Sequence, residues 1–190
     1  MRITEAALRG GADLIQWRDK NSTDRDFLAL ARMLRAMTHR HRKLFIVNDR
    51  VSIAQLVQAD GVHVGHEDLP VQEVRRLVGE SMLIGRSTHS LQEAKAAQTA
   101  GADYIGVGPV FATPTKPTYP VVGIELIQQV NSAIQIPWVA IGGIDLQTLP
   151  LVLSAGARGI AVVRALAGVP DPEKAARTLK THMSTAKKAL

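Results

Sequence analysis

Apolar residues in this chain fall into short, nearly unbroken runs: DLIQW, LFIVN, GVHV, MLIG, YIGVGPV, IPWVAIGG and GIAVV. Runs of this kind, without alternating polar positions, fit strands of a parallel sheet covered on both faces. The spacing predicts strands over 12–18, 44–49, 60–65, 82–87, 104–110, 136–143 and 159–163. The stretches between them carry the helical period. A helix over 2–10 ends at Gly10-Gly11, and Ser22-Thr23-Asp24 caps a long amphipathic helix reaching about residue 41. Further helices are expected over 51–59, from Pro70 to about 79, and over 91–100, 124–132 and 146–155, the last capped by Asp145. Pro172 leads into a C-terminal helix.

Strand, loop and helix alternate throughout, with no hairpin signal or linker. That pattern specifies an α/β fold with right-handed crossovers. A (β/α)8 TIM barrel needs eight strands, and seven are counted here behind a leading helix. The expected fold is therefore such a barrel in a single domain over 1–190, lacking its first β-strand at the N-terminus. A doubly wound sheet is the alternative, although its G-x-G-x-x-G turn after the first strand is absent.

At 190 residues, 46% apolar and 21% charged, the chain has the composition of one globular domain with a sizeable core. It contains no run of about 18 apolar residues and no apolar centre near its start, so neither a membrane span nor a signal peptide is expected, and the cytoplasm is the default. With no cysteine, disulfides and thiol chemistry are excluded. Lysine and arginine outnumber acidic residues 23 to 17, a net charge of +6 that favours anionic partners. The excess collects over 31–43 and 174–188, both read as solvated helical faces. No aromatic side chains are interleaved there for base stacking, which argues against nucleic acid. A homo-oligomer is left open.

The candidate chemistry centres on YIGVGPVFATPTK, residues 104–116. Gly106 and Gly108 share one face of a strand and leave room beside it. Thr113, Thr115 and Lys116 follow on a loop stiffened by Pro114 and Pro117, a setting suited to an anion. Other unusual polar residues sit at the C-terminal ends of strands, where barrels build active sites. Gln16, Arg18 and Lys20 alternate and so project to one side. Asn48, Asp49 and Asp68 form an opposing set suited to Mg²⁺ shared with phosphate oxygens. Simpler roles exist for each: Asp49 as a partner of Arg50, Asp68 as a cap before Pro70. His63 and His66 lack metal spacing, so His63 reads as a strand residue and Asp60 as a turn residue. Ser87 ends a strand or caps the helix near residue 91. Gly142-Gly143 and Val163-Arg164 close the last two strands, a common place for a phosphate.

These motifs together, QWRDK, FIVNDR, DGVHVGHEDLP, IGRSTHS, GADYIGVGPVFATPTK, VAIGGI and GIAVVRA, resemble those of the thiamine-phosphate synthase family over nearly the whole chain. The resemblance implies a transferase for thiamine biosynthesis with a (β/α)8 barrel and a Mg²⁺ cofactor. Its small phosphorylated substrates would be 4-amino-5-hydroxymethyl-2-methylpyrimidine diphosphate and 4-methyl-5-hydroxyethylthiazole phosphate, joined with release of pyrophosphate. It further implies that Gln16, Trp17, Arg18, Asp19, Lys20, Asn48, Ser87 and Lys116 hold the pyrimidine diphosphate. Asp49 and Asp68 would ligate the metal. Thr113, Pro114, Thr115, Gly143, Val163 and Arg164 would hold the thiazole phosphate. Arg18, Lys20 and Lys116 would stabilise the departing charge. Trp17, His66, Arg86 and Arg164 depart from the residues usual in the family. A thiazole tautomerase-like enzyme and a non-catalytic barrel binding phosphorylated ligands remain as rival readings.

Overall fold

The computed structural model describes residues 1–113 and 120–188. Its centre is a seven-stranded, wholly parallel sheet whose strands neighbour one another in chain order. They are β1 (Leu14–Trp17), β2 (Leu44–Asn48), β3 (Gly61–Val64), β4 (Leu83–Thr88), β5 (Tyr104–Val107), β6 (Trp138–Ile141) and β7 (Ile160–Ala161). A doubly wound sheet would reverse direction partway. This one never does, so that alternative is overturned. Among the described residues β1 and β7 each have one strand partner. The sheet is a half-barrel.

The helices in chain order are α1 (Arg2–Arg9), α2 (Asp24–Arg40), α3 (Val51–Leu56), α4 (Val71–Val78), α5 (Leu91–Thr99), α6 (Gly123–Ala133), α7 (Leu149–Ser154), α8 (Arg164–Ala167) and α9 (Pro172–Lys188). α2 starts where expected because the Thr23 hydroxyl accepts from the Asp26 backbone N–H at 3.2 Å. α7 begins later than expected. Asp145 takes the N–H groups of Gln147 and Thr148 into a local turn, which holds residues 145–148 outside the helix. α8 is a single turn without a periodic signature, and sequence reading missed it. α9 packs against α1, α7 and α8, so one helix ties together the outer layer beside both ends of the sheet.

Side chains that alternate along a strand go to different layers. Phe45 and Val47 of β2 join Phe27 and Leu34 of α2 in the core between sheet and helices. Ile46, fully buried, faces the other way and lies against Gly61 of β3. Strand starts are held by aspartates. Asp60 accepts from the Phe45 N–H at 2.7 Å and from Arg35 at 2.8 Å. Asp103 repeats the device with the Ile84 N–H and Arg75. Asp13 pairs with Lys43 and Lys180. The cations of 31–43 are thus only partly a solvated face, since Arg35 and Lys43 staple a helix and a strand start to the sheet.

Candidate active site

The site begins with strand alternation on β1. Gln16 and Trp17 leave opposite sides, and Trp17 stacks on Phe27 of α2 with ring centroids 5.3 Å apart. Its indole therefore belongs to the helix layer, and Gln16 faces the concave side. Trp17, expected among the ligand contacts, instead supports the strand from behind. Asp19 is also placed differently. Its carboxylate accepts from the Asn21 and Ser22 N–H groups and shapes the loop after β1, which holds it below the ordinary carboxylate range. Arg50 completes that loop. Its guanidinium donates to the Asp19 and Ser22 carbonyls and to the Asp24 carboxylate, and lies 4.3 Å from the centre of the Phe27 ring. Arg50 is thus the partner of Asp24, not of Asp49.

The loop so held presents Arg18 and Lys20 to the end of β2. Lys20 Nζ lies 3.7 Å from Asp49 Oδ2. Asp49 has φ +65°, a left-handed conformation that aspartate tolerates better than most residues. Asp68 approaches from the far side of β3, with its Oδ2 accepting from the Gly65 N–H at 2.6 Å. The two carboxyls interact directly. Burial, then the hydrogen bond and negative charge of Asp68, push Asp49 up to about 6 against the pull of Lys20 and Arg18. Burial also acts to raise Asp68, but the hydrogen bonds from Asp49 and Gly65 and the charges of Lys20 and Arg86 outweigh it. Asp68 is therefore lowered. Such a pair needs a positive charge between its members, supplied here by a proton and equally well by a hard cation. Among the described residues no third acidic, histidine or cysteine ligand joins them. Any Mg²⁺ there would take its remaining ligands from ligand oxygens and water.

The concave side holds a polar row that sequence reading did not find. His63 of β3 sits opposite Gly85 of β4 in register. Its Nε2 is 2.9 Å from Ser87 Oγ and its Nδ1 is 3.1 Å from Tyr104 OH. Burial keeps the Tyr104 hydroxyl protonated well beyond the ordinary range, against a smaller opposing pull from the Gln16 side chain. Gly85 and Gly106 make the space: a Cβ on Gly85 would lie 2.4 Å from His63 Nδ1, and one on Gly106 3.5 Å from its Cε1. The signal was present in the glycines at strand interiors, but the ring that fills the gap comes from another strand. Ser87 lies inside β4, and Ser90, whose hydroxyl accepts from the Glu93 N–H, caps α5.

Asn48 is buried at the end of β2, paired in register with His63. Gly142 and Gly143 follow β6 with φ +99° and +64°. A Cβ on Gly143 would stand 2.7 Å from Phe111 Cβ, so this turn is pressed against the segment entering the loop after β5. Thr113 stands at the edge of that segment. Pro114, Thr115 and Lys116 lie outside the described residues. Val163 and Arg164 are exposed at the start of α8.

Known proteins are similar to this chain over most of its length. Residues 1–166 match the family model described as thiamine monophosphate synthase. The thiamine-phosphate synthase of Synechococcus sp. (strain CC9311) is 50% identical over 175 residues, which are 92% of this chain and 50% of the relative. That of Roseiflexus sp. (strain RS-1) is 43% identical, with 97% of this chain and 78% of the relative covered. The chain spans about half the length of the cyanobacterial relatives it matches. The solved thiamine phosphate pyrophosphorylase from Pyrococcus furiosus superimposes with a TM-score of 0.91 at 38% identity, covering 97% of this chain and 89% of that one.

Proposed function

The chain belongs to the thiamine monophosphate synthase family, and on that premise we propose that it joins 4-amino-5-hydroxymethyl-2-methylpyrimidine diphosphate to 4-methyl-5-hydroxyethylthiazole phosphate. The bond between the pyrimidine methylene carbon and the diphosphate oxygen breaks, and its electron pair leaves with pyrophosphate. The thiazole nitrogen then gives its lone pair to the methylene carbon, forming the new C–N bond of thiamine phosphate. Neither step needs a protein nucleophile.

The observation that carries this reading is the Asp49–Asp68 pair facing Arg18 and Lys20 at adjacent strand ends. Asp49 and Asp68 would hold Mg²⁺, which when bound supplies positive charge against the diphosphate oxygens. Arg18 and Lys20 meet the same charge as it develops on the leaving group. Lys116 is assigned there by its motif. Ser87, Asn48 and Gln16 orient the pyrimidine. Gly143, Val163 and Arg164 serve the thiazole phosphate.

The same reading takes the seven strands as part of a (β/α)8 barrel, supported by their consecutive parallel order, and places the enzyme in the cytoplasm. The deciding experiment mixes both substrates with and without Mg²⁺ and follows pyrophosphate. Mg²⁺-dependent release that requires the thiazole phosphate supports the synthase. No release with either metal condition removes it in favour of a binding protein or a tautomerase.

A further inference from the structure

Strand β4 runs past the end of β3. Val64, the last residue of β3, pairs in register with Arg86, while β4 continues through Thr88. Gly85 and Ser87 are turned to the concave side, towards His63. Arg86, between them, therefore leaves on the helix side, as does Ile84 of the core. From there its guanidinium reaches over the end of β3, and Nη1 donates to the Gly65 carbonyl at 2.6 Å.

Gly65 is the post on which Asp68 is set. Its N–H donates to Asp68 Oδ2 at 2.6 Å, and its carbonyl accepts from the Asp68 N–H at 3.2 Å. A Cβ at position 65 would stand only 3.1 Å from Oδ2, so glycine lets the carboxylate lie close against the backbone. A carbonyl oxygen has two lone pairs. The Asp68 N–H takes one here and Arg86 the other. A charged donor makes the stronger kind of hydrogen bond. Arg86 therefore fixes the peptide that follows Gly65, and with it the turn that carries Asp68.

Building on the proposed function, we infer that Arg86 is a positioning residue for Mg²⁺, gripping Gly65 from the helix side so that the Asp68 carboxylate is oriented before the ion arrives. Mg²⁺ demands near-ideal octahedral placement of its oxygens. A carboxylate on a loose turn would have to be ordered by the ion itself, and that ordering is lost affinity. By charge alone a guanidinium near the site would repel a cation. The hydrogen bond to Gly65 must therefore outweigh that repulsion.

The test uses two variants of the full chain. Arg86→Met removes charge and donors, while Arg86→Lys keeps the charge and one donor nitrogen. Mn²⁺ binding, alone and with inorganic pyrophosphate, is read from the paramagnetic resonance of the free ion, and half-saturating Mg²⁺ for pyrophosphate release is measured alongside. Arg86→Met should weaken Mn²⁺ binding and raise half-saturating Mg²⁺ by about tenfold, as when hydrogen-bonded supports of a metal ligand are altered. Turnover at saturating Mg²⁺ and KM for the thiazole phosphate should stay within about twofold of native, since only metal binding is touched. Arg86→Lys should lose about threefold, because one donor is kept but the fork is not, and it serves if Arg86→Met does not fold. Unchanged metal affinity in the folded variants overturns the inference. Tighter metal binding in Arg86→Met also overturns it, since charge would then dominate. Lower turnover at saturating Mg²⁺ with native metal affinity marks a merely structural role and overturns it too, as does native protein that binds no Mn²⁺ in either condition. Native protein that binds Mn²⁺ but releases no pyrophosphate removes the synthase reading, and the Mn²⁺ titrations of the two variants still decide the role of Arg86.

Discussion

Asp49 and Asp68 interact across the ends of β2 and β3: burial, then the hydrogen bond and negative charge of Asp68, push the Asp49 carboxyl up to about 6, while Asp68 is lowered. Two carboxyls so placed oppose each other, a local cost that the rest of the fold carries.

In metal-free protein, Asp49→Asn should therefore be more stable than the native chain at neutral pH. The folded value of Asp49, about 6, lies above its ordinary 3.8. Its ionised form thus penalises the fold fully above pH 6, and the penalty fades as pH falls towards 3.8. Asp68 is lowered, so its contribution is present above its ordinary value and is lost only in more acid solution. The shift corresponds to roughly 3 kcal/mol at most, and solvent at the strand ends screens it, leaving about 1–2 kcal/mol. Urea unfolding with chelator at pH 7.5 and at pH 4 measures the gain. A gain of equal size at both values would contradict the assignment. Asparagine also suits the left-handed backbone here.

The same substitution should damage metal use. An amide is an uncharged and weaker ligand for a hard cation. Asp49→Asn and Asp68→Asn should each raise the half-saturating Mg²⁺ for pyrophosphate release by at least about tenfold, the loss seen even when outer-shell partners of a metal are altered. Unchanged Mg²⁺ titrations in both variants would take these residues out of the metal site.

Arg50 shapes the loop that carries Arg18 and Lys20 through three oxygen partners and the Phe27 ring. Lysine has one point charge and cannot reproduce that fork. Arg50→Lys should destabilise the fold by about 1 kcal/mol, because half-buried carbonyls lose their donor. It should also raise KM for the pyrimidine diphosphate more than for the thiazole phosphate. Thermal unfolding and steady-state kinetics read the two effects, and equal changes in both KM values would separate Arg50 from the diphosphate end.

Gly143 turns with φ +64° directly against Phe111. Gly143→Ala puts a methyl group where Phe111 Cβ already stands, in a backbone region that costs an alanine about 1–2 kcal/mol before any clash. The variant should melt lower and bind the thiazole phosphate more weakly, with pyrophosphate binding unaffected. Retention of native thiazole phosphate affinity would dissociate this turn from that ligand.

The order of strands and helices was written in the chain, because it depends on local period and capping. Thr23 caps α2 and the apolar runs form strands wherever they are expected. The acidic and basic residues at strand ends were equally visible, since any parallel sheet gathers those ends on one face. Proximity between strands was not. Gln16 and Trp17 differ in side by alternation alone, and it took the packing of Trp17 on Phe27 to say which side is concave. Asp145 has the residue type of a helix cap, but its side chain closes a turn that delays α7. His63 read as an ordinary member of a buried Val-His-Val run. Its contacts are with Gly85, Ser87 and Tyr104, contributed by two other strands across distances in sequence that no local pattern encodes. Local propensity sets the elements, but the register between them sets which polar groups meet, and register is a property of how the whole sheet packs.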